Sequence, residues 1–294
     1  MPAGLSTVFA RALPDRERSP ERVIDEALRL GAAALVLDAG LAPALYEGLA
    51  PLCLSHREVL PVWALECPCP WTRAASAELS AAERDEAEAA SKAAEETIAR
   101  AGELGAPLVV LRLGEVASLR REWPAVRRAF LRGALDAATV QRLLDERIKR
   151  APPHLDAARR SLERLSRAAE RHAVTLGLRN PPRALGVPSP GELARLRAEL
   201  AGAPIAPCLD VAAAHLDDVM GIRPLAAVVE AWQAAPLALV ADACGPVVGL
   251  PPGRGEIDFP SLALPEKARR VFHPSAQLSL AEVAEGLARV ATAA

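Results

Sequence analysis

Aromatic side chains are scarce in this chain. Four phenylalanines, four tryptophans and one tyrosine make up 3% of 294 residues. Rings therefore cannot fill the core, and the 51% hydrophobic content points to one built from Leu, Val and Ala. Lysine is nearly absent, at Lys92, Lys149 and Lys267 only, against many arginines, which reflects compositional bias. Positive charge in excess is missing too. A formal net charge of −2 argues against a nucleic-acid partner, because phosphate backbones require a concentrated positive face. No apolar run approaches the ~18 residues of a membrane span, so no membrane partner is expected. Met1 to Phe9 lacks the basic start and long apolar stretch of a signal peptide. The five cysteines, Cys53, Cys67, Cys69, Cys208 and Cys244, form an odd set without a secretory signal. That pattern fits reduced thiols in a cytoplasmic protein.

What the chain does have is a recurring unit. Short apolar runs lie at 5–9, 34–38, 60–66, 108–112, 174–178, 205–210, 237–242 and 270–273. They show no polar alternation, as expected of strands buried on both faces of a parallel sheet. Helical patterns lie between them at 20–30, 81–104, 155–172, 190–200, 224–234 and 279–288. Ser19-Pro20 and Ser189-Pro190 suit a helix first turn. Arg179, Asp210, Asp242 and His273 follow one another at intervals of 31, 32 and 31 residues, about one βα unit each. The interval from Arg112 to Arg179 is 67 residues, long by one element. The charged, helical stretch Ala117 to Arg150 accounts for the excess. The reading is one α/β domain over residues 1–294, a single (β/α)8 TIM barrel with a helical insertion after strand 4. A doubly wound sheet would place a glycine-rich fingerprint after its first strand. Arg11-Ala12-Leu13-Pro14-Asp15 stands there instead.

In such a barrel the C-terminal strand ends carry the chemistry. Those positions hold Arg11, Asp38, Glu66 with Cys67 and Cys69, Arg112, Arg179, Asp210, Asp242 with Cys244, and His273. Taken singly, each acid suits a helix cap and each arginine an ion-pair partner. Gathered on one rim, they make a polar mouth on an apolar protein. Trp71, near the third strand end, is expected to pack in the core, with one wall of the pocket as the alternative. His56, His172 and His215 are expected at the surface.

Two motifs in this register resemble a known family. Leu237-Ala238-Leu239-Val240-Ala241-Asp242 leads into the turn-rich loop Val247-Val248-Gly249-Leu250-Pro251-Pro252-Gly253-Arg254-Gly255-Glu256-Ile257-Asp258-Phe259, whose prolines and glycines favour tight turns. Asp258 is placed to cap a helix beginning near Pro260. This order of strand, acid and Gly-x-Gly-Glu-Ile-Asp-Phe loop is similar to the late part of xylose-isomerase-like TIM barrels, a superfamily of sugar and sugar-phosphate isomerases and epimerases. The resemblance covers most of the chain from about Ala34 and is strongest between Leu162 and Asp258. It implies a divalent metal held by a Glu, Asp, His, Glu set. At the fifth strand, Leu176-Gly177-Leu178-Arg179-Asn180-Pro181-Pro182 keeps the family's Asn and Pro but has Arg179 in place of the Glu. At the sixth, Cys208-Leu209-Asp210-Val211-Ala212-Ala213 keeps the Asp. Leu239 stands for the seventh-strand His, and His273 for the eighth-strand Glu.

Hard divalent ions want several oxygen ligands. A fixed guanidinium about 4 Å from a cation repels it by ~4 kcal/mol at an effective dielectric of 20. No metal cofactor is therefore expected. One reading pairs Arg179 with Asp210, and with Asp242, to replace the cation. His273 then serves as proton-transfer group, and Arg11, Glu66, Arg112 and Asp242 contact a small phosphorylated or carboxylated sugar. A second reading is a non-catalytic barrel acting as scaffold, its mouth plugged by side chains or by the insertion. A third is a relocated zinc site made of the rim cysteines and His273, although Cys67-Pro68-Cys69 lacks the usual Cys-x₂-Cys spacing.

Overall fold

Each apolar run supplies one strand of a closed parallel barrel in a computed structural model of the chain, which describes residues 1–183 and 185–292. The strands are β1 (Gly4–Ser6), β2 (Ala34–Leu37), β3 (Val62–Glu66), β4 (Leu108–Leu111), β5 (Thr175–Arg179), β6 (Ile205–Asp210), β7 (Leu237–Val240) and β8 (Arg269–Phe272). Each pairs with its neighbours in chain order. β1 closes the ring, Gly4 lying opposite Ala34 on one side and Val271 on the other.

Helices α1 (Pro20–Arg29), α2 (Pro43–Ser55) and α3 (Arg84–Leu104) follow the first three strands. After β4 come α4 (Trp123–Leu131), α5 (Ala137–Arg150) and α6 (Pro152–Arg171), the first two forming the insertion. The remaining helices are α7 (Pro190–Glu199), α8 (Val211–Val219), α9 (Leu225–Ala231) and α10 (Leu280–Thr292). Local chemistry sets several of the starts. The Ser19 side chain accepts from the Arg22 amide, and Ser189 with Glu192 forms a capping box on α7. Gly105, in the left-handed region, ends α3. The insertion is tied down by Arg147 of α5, which is buried and hydrogen-bonds Glu192 and the Gly186 carbonyl.

Some expectations shift. The run 5–9 leaves the ladder after Ser6 and winds into a 3-10 helix, Thr7–Ala12. The run 237–242 leaves it after Val240, and Asp242–Cys244 pairs instead with Val247–Leu250 as an antiparallel hairpin. Helices α2 and α8 were not expected. Among the described residues no α-helix joins β7 to β8. The segment at Pro260 is the 3-10 turn Phe259–Ser261, and the Asp258 side chain makes no cap bond to it.

Two apolar layers result. Leu35, Leu65, Val109 and Leu178 face helix residues such as Ile24, Leu49, Ile98 and Leu162 in the outer layer. A small inner cluster, including Val36, Ala64, Leu108, Val110, Cys208, Leu239 and Val271, draws only on barrel strands and fills the barrel itself. Trp232 is fully buried and donates its indole N–H to the Leu178 carbonyl at 3.0 Å. Among the described residues, no helix is long and apolar enough to cross a membrane.

Candidate functional site at the C-terminal rim

Side chains alternate across a strand, so the residue two places after an inward one also faces inward. Val36, Ala64, Val110, Cys208 and Val271 belong to the inner cluster. Two residues on, at the mouth, stand Asp38, Glu66, Arg112, Asp210 and His273. Gly177 also packs inside, next to Cys208 and Leu108, and Arg179 follows it. On β7 the inward sequence is Leu237, Leu239, Ala241. Asp242 is one step out of phase.

Arg179 forms the floor of the site. It is buried, and its Nε and Nη2 both donate to Asp210 Oδ2, Nε at 2.9 Å. Its Nη1 reaches across β4 to Glu66 Oε2 at 2.9 Å. The expected Arg179–Asp210 pair is thus present, and Glu66, not Asp242, is the second carboxylate. Asp210 also caps α8, accepting from the Ala213 amide at 3.0 Å. Asn180 fixes the backbone there, its side chain exchanging hydrogen bonds with the Asp210 main chain at 2.9 and 2.6 Å.

Burial pushes the Asp210 carboxyl up, but Arg179 and His273 outweigh it and hold the group below the usual carboxylate range. Burial also opposes ionisation of Glu66, yet His273, Arg179 and Arg112 lower it overall. Burial works against the charged guanidinium of Arg179, and the two carboxylates more than restore it. Burial lowers His273, with Glu66 opposing, so its imidazole is mainly neutral at pH 7. Its Nδ1 lies 3.6 Å from Glu66 Oε1, beyond hydrogen-bond length, and neither buried atom has a partner.

Above this floor opens a cavity of ≈ 900 Å³, lined by Glu66, Arg112, Arg179, His273, Arg11 and Asp38, among others. A second cavity of ≈ 240 Å³ adjoins it on the other side of Arg179 and His273, bordered by Asp210, Ala213 and Ala241. Arg11 hydrogen-bonds Asp38 at 3.1 Å, and Asp38 also accepts from Thr7 Oγ1 and the Gly40 amide. Arg112 behaves differently. Its side chain is half exposed, its nearest acid is Glu66 Oε2 at 3.8 Å, and it donates no hydrogen bond among the described residues.

Loops bring in groups that strand ends could not reveal: Glu78, Glu115, Arg120 and Arg183 line the outer cavity. Arg120 pairs with Glu78 and Glu115, and Arg183 with Glu115. Of the insertion, only Arg120 lines the cavity, so the insertion does not plug the mouth. Trp71 is 50% exposed and forms part of the cavity wall rather than of the core. His215 is buried on α8, not at the surface, with Nε2 3.6 Å from Glu256.

Asp242, expected as a ligand contact, lines neither of these two cavities. Fully buried and out of phase with the inward residues, it spends both oxygens on the backbone of its own loop. Oδ1 accepts from Ala243 and Ile257, and Oδ2 from Gly253 and Gly255. The glycines of the loop follow from this wrapping. Gly253 has φ +79, and a Cβ on Gly255 would stand 2.4 Å from Asp242 Oδ1.

The cysteines do not converge. All five are free; Cys67 touches the cavity and Cys244 sits exposed on the hairpin against Glu256. Burial pushes the Cys67 thiol up to about 12 and the Cys53 thiol to about 11. Among the described residues no group of three or more His, Cys, Asp or Glu is placed to hold a metal ion.

No protein-family model matches the chain, and no curated protein matches it in sequence. Solved structures do match in shape. The structure of an L-ribulose 3-epimerase aligns with a TM-score of 0.70 over 99% of this chain and 93% of that one, at 15% identity. A D-tagatose 3-epimerase-like protein gives 0.69 over 100% and 97%, at 14% identity. The 3-keto-D-glucoside 4-epimerase YcjR from E. coli gives 0.67 over 99% of each chain, at 15% identity. The chain therefore has the (β/α)8-barrel fold of these solved structures.

Proposed function

We propose that this barrel is a sugar isomerase- or epimerase-like protein that binds a small polar or anionic carbohydrate at its C-terminal rim, with Arg179 in place of a divalent metal. The observation that carries the reading is the guanidinium held between Asp210 and Glu66 on the floor of an open cavity. The positions that the sequence resemblance assigns to the metal hold Arg179, Asp210, Leu239 and His273. They do not fit a divalent ion. The remaining carboxylate is already hydrogen-bonded to a cation, and that cation repels a second one.

Arg179 and Arg112 supply what a Lewis acid otherwise would, a fixed positive field for an oxyanion that develops beside the floor. Neutral His273 suits a proton acceptor, and ionised Glu66 next to it stabilises the imidazolium that results. A scaffold with a filled mouth fits less well, because the cavity is of ligand size.

Calorimetric titration with a panel of ketoses, sugar acids and sugar phosphates tests the reading. Binding is expected to persist after dialysis against a chelator. It should fall at least tenfold in Arg179→Lys, which keeps the charge but loses the planar fork. Unchanged affinity in a folded Arg179→Lys protein would sink the proposal.

A further inference from the structure

Building on the reading of the rim as a carbohydrate site, we infer that the ligand is a polyhydroxy carboxylate: a sugar acid whose carboxylate sits on Arg112 and whose neighbouring hydroxyl bridges Glu66 and His273. Two unsatisfied features of the cavity define the two contacts.

The first is the pair Glu66 Oε1 and His273 Nδ1. Both atoms are buried, both lack a partner, and they stand 3.6 Å apart at the cavity floor. Buried polar atoms left unbonded are costly. An oxygen about 2.8 Å from each would satisfy both. The ionised carboxylate can only accept, so the oxygen must bring a hydrogen. The imidazole, with its Nδ1–H drawn toward Glu66, then donates to the same oxygen. A hydroxyl meets both demands, whereas a carbonyl or phosphoryl oxygen meets only one.

The second is Arg112. The cavity's other arginines are spoken for: Arg179 by Asp210 and Glu66, Arg11 by Asp38, Arg120 by Glu78, Arg183 by Glu115. Among the described residues Arg112 alone of these has no carboxylate oxygen within hydrogen-bond distance. It faces the cavity half exposed, 3.8 Å from Glu66 Oε2. The positive charge of Arg179 and burial both push Arg112 down, the mark of a cation in a locally positive setting that an added anion relieves. Imidazole and guanidinium thus flank the two oxygens of one carboxyl group. Adjacent carbons of a short ligand span that separation, one bearing a hydroxyl and the next a carboxylate.

The choice of carboxylate over phosphate comes from the loops. TIM barrels commonly hold a phosphate on backbone amides of the loops after the seventh and eighth strands and at a nearby helix N-terminus. Here most of those amides have an acceptor within the chain. Ala243, Gly253, Gly255 and Ile257 donate to Asp242. Ser275 donates to the Gly249 carbonyl, Gln277 to Ser275 Oγ, and Ser279 to the Glu282 carboxylate at the start of α10. The charged donor without a close acceptor is the planar guanidinium of Arg112, which binds a carboxylate bidentately.

The test is calorimetric titration of the full chain with D-gluconate, D-glucitol, propionate and D-glucose 6-phosphate, repeated on Arg112→Gln. D-Gluconate is expected to bind at least tenfold tighter than each of the others. Arg112→Gln should bring it within about threefold of D-glucitol, while the thermal transition stays within a few degrees of wild type. D-Glucose 6-phosphate binding as tightly as D-gluconate would overturn the carboxylate assignment and leave the rim-binding reading standing. So would a gluconate preference that survives Arg112→Gln. Failure of all four compounds to bind wild type at millimolar concentration would overturn both. Because Arg112 is half exposed, a destabilised variant is not expected; Arg112→Lys, which keeps the charge, provides the partial-rescue control.

Discussion

Asp210 and Asp242 both follow an apolar strand, 32 residues apart, and both are buried. They are satisfied in opposite ways. Asp210 faces into the barrel and binds a guanidinium that also holds Glu66, 113 residues earlier in the chain. Asp242 faces the loop side and gathers four backbone amides within fifteen residues of itself. A single step of strand phase separates an acid that builds a pocket floor from one that builds a turn. The inner acid is charge-paired and open to a ligand on its far side. The outer one is fully committed to backbone.

The largest expected effect comes from breaking the inner arrangement. Arg179→Met leaves Glu66 and Asp210 buried without their counter-charge. Removing one partner of a buried pair costs about 3–5 kcal/mol. Urea unfolding with an unchanged slope and a lower midpoint would show it. A loss below about 1 kcal/mol would mean that Arg112 or water had taken over the pairing.

Asp242→Asn probes the other side of the comparison. The amide nitrogen cannot accept, so two of the four backbone N–H groups face a donor. The expected cost is about 2–3 kcal/mol, given 1–3 kcal/mol for a buried group left unsatisfied and partial relaxation of the loop. Ligand affinity at the rim should stay within twofold, since Asp242 lines neither cavity. A selective loss of binding with little loss of stability would return Asp242 to the site.

How much of this was readable beforehand follows the same division. Eight strands and six of the helices were legible because each run is local, unbroken and bounded by turn residues. α2 was not, since Pro51 sits inside it and its apolar residues do not gather on one face. α8 was hidden because it begins at Asp210 with no intervening loop. Arg179 with Asp210 was legible from their places in successive βα units. The second carboxylate was not, because Glu66 meets Arg179 across β4 and no local pattern links them. Asp242 stands at a strand end but one step out of strand phase, which position along the chain alone does not reveal. Counting by twos from Leu237 and Leu239 leads to Ala241, which does border the smaller cavity.

Acid titration sharpens the contrast further. In the wild type, Glu66 and Asp210 are held below their ordinary range. Their contribution is complete above the unfolded values near about 4 and is lost as pH falls through the lower folded values. Without Arg179, burial raises both groups, the folded state binds the extra protons first, and its stability rises as pH falls from 7. The gap between wild type and Arg179→Met should therefore narrow by roughly 1–2 kcal/mol between pH 7 and pH 4.5. Stability curves for the two proteins at four or five pH values measure it. A gap that widens on acidification would show that the carboxylates are not the groups in question.

Asp38 stands between the two extremes and should give the smallest effect. It points inward at the rim like Asp210, yet most of its partners are local or uncharged. Thr7 Oγ1 donates at 3.0 Å, the Gly40 amide at 2.7 Å, and only the half-exposed Arg11 brings charge, at 3.1 Å. Thr7 is held in turn by the Asp38 amide at 2.9 Å, so hydroxyl and carboxylate form a closed ring that survives loss of the arginine. Water can reach the place Arg11 vacates, and exposed pairs contribute about 0–1 kcal/mol. Arg11→Gln is thus expected to cost about 0.5 kcal/mol in low salt and less in 1 M NaCl, where screening already weakens the pair. A loss near that of Arg179→Met would mean that the Thr7 and Gly40 donors do not suffice for this acid, and that inward phase alone, not dependence on a buried cation, sets what a rim carboxylate needs.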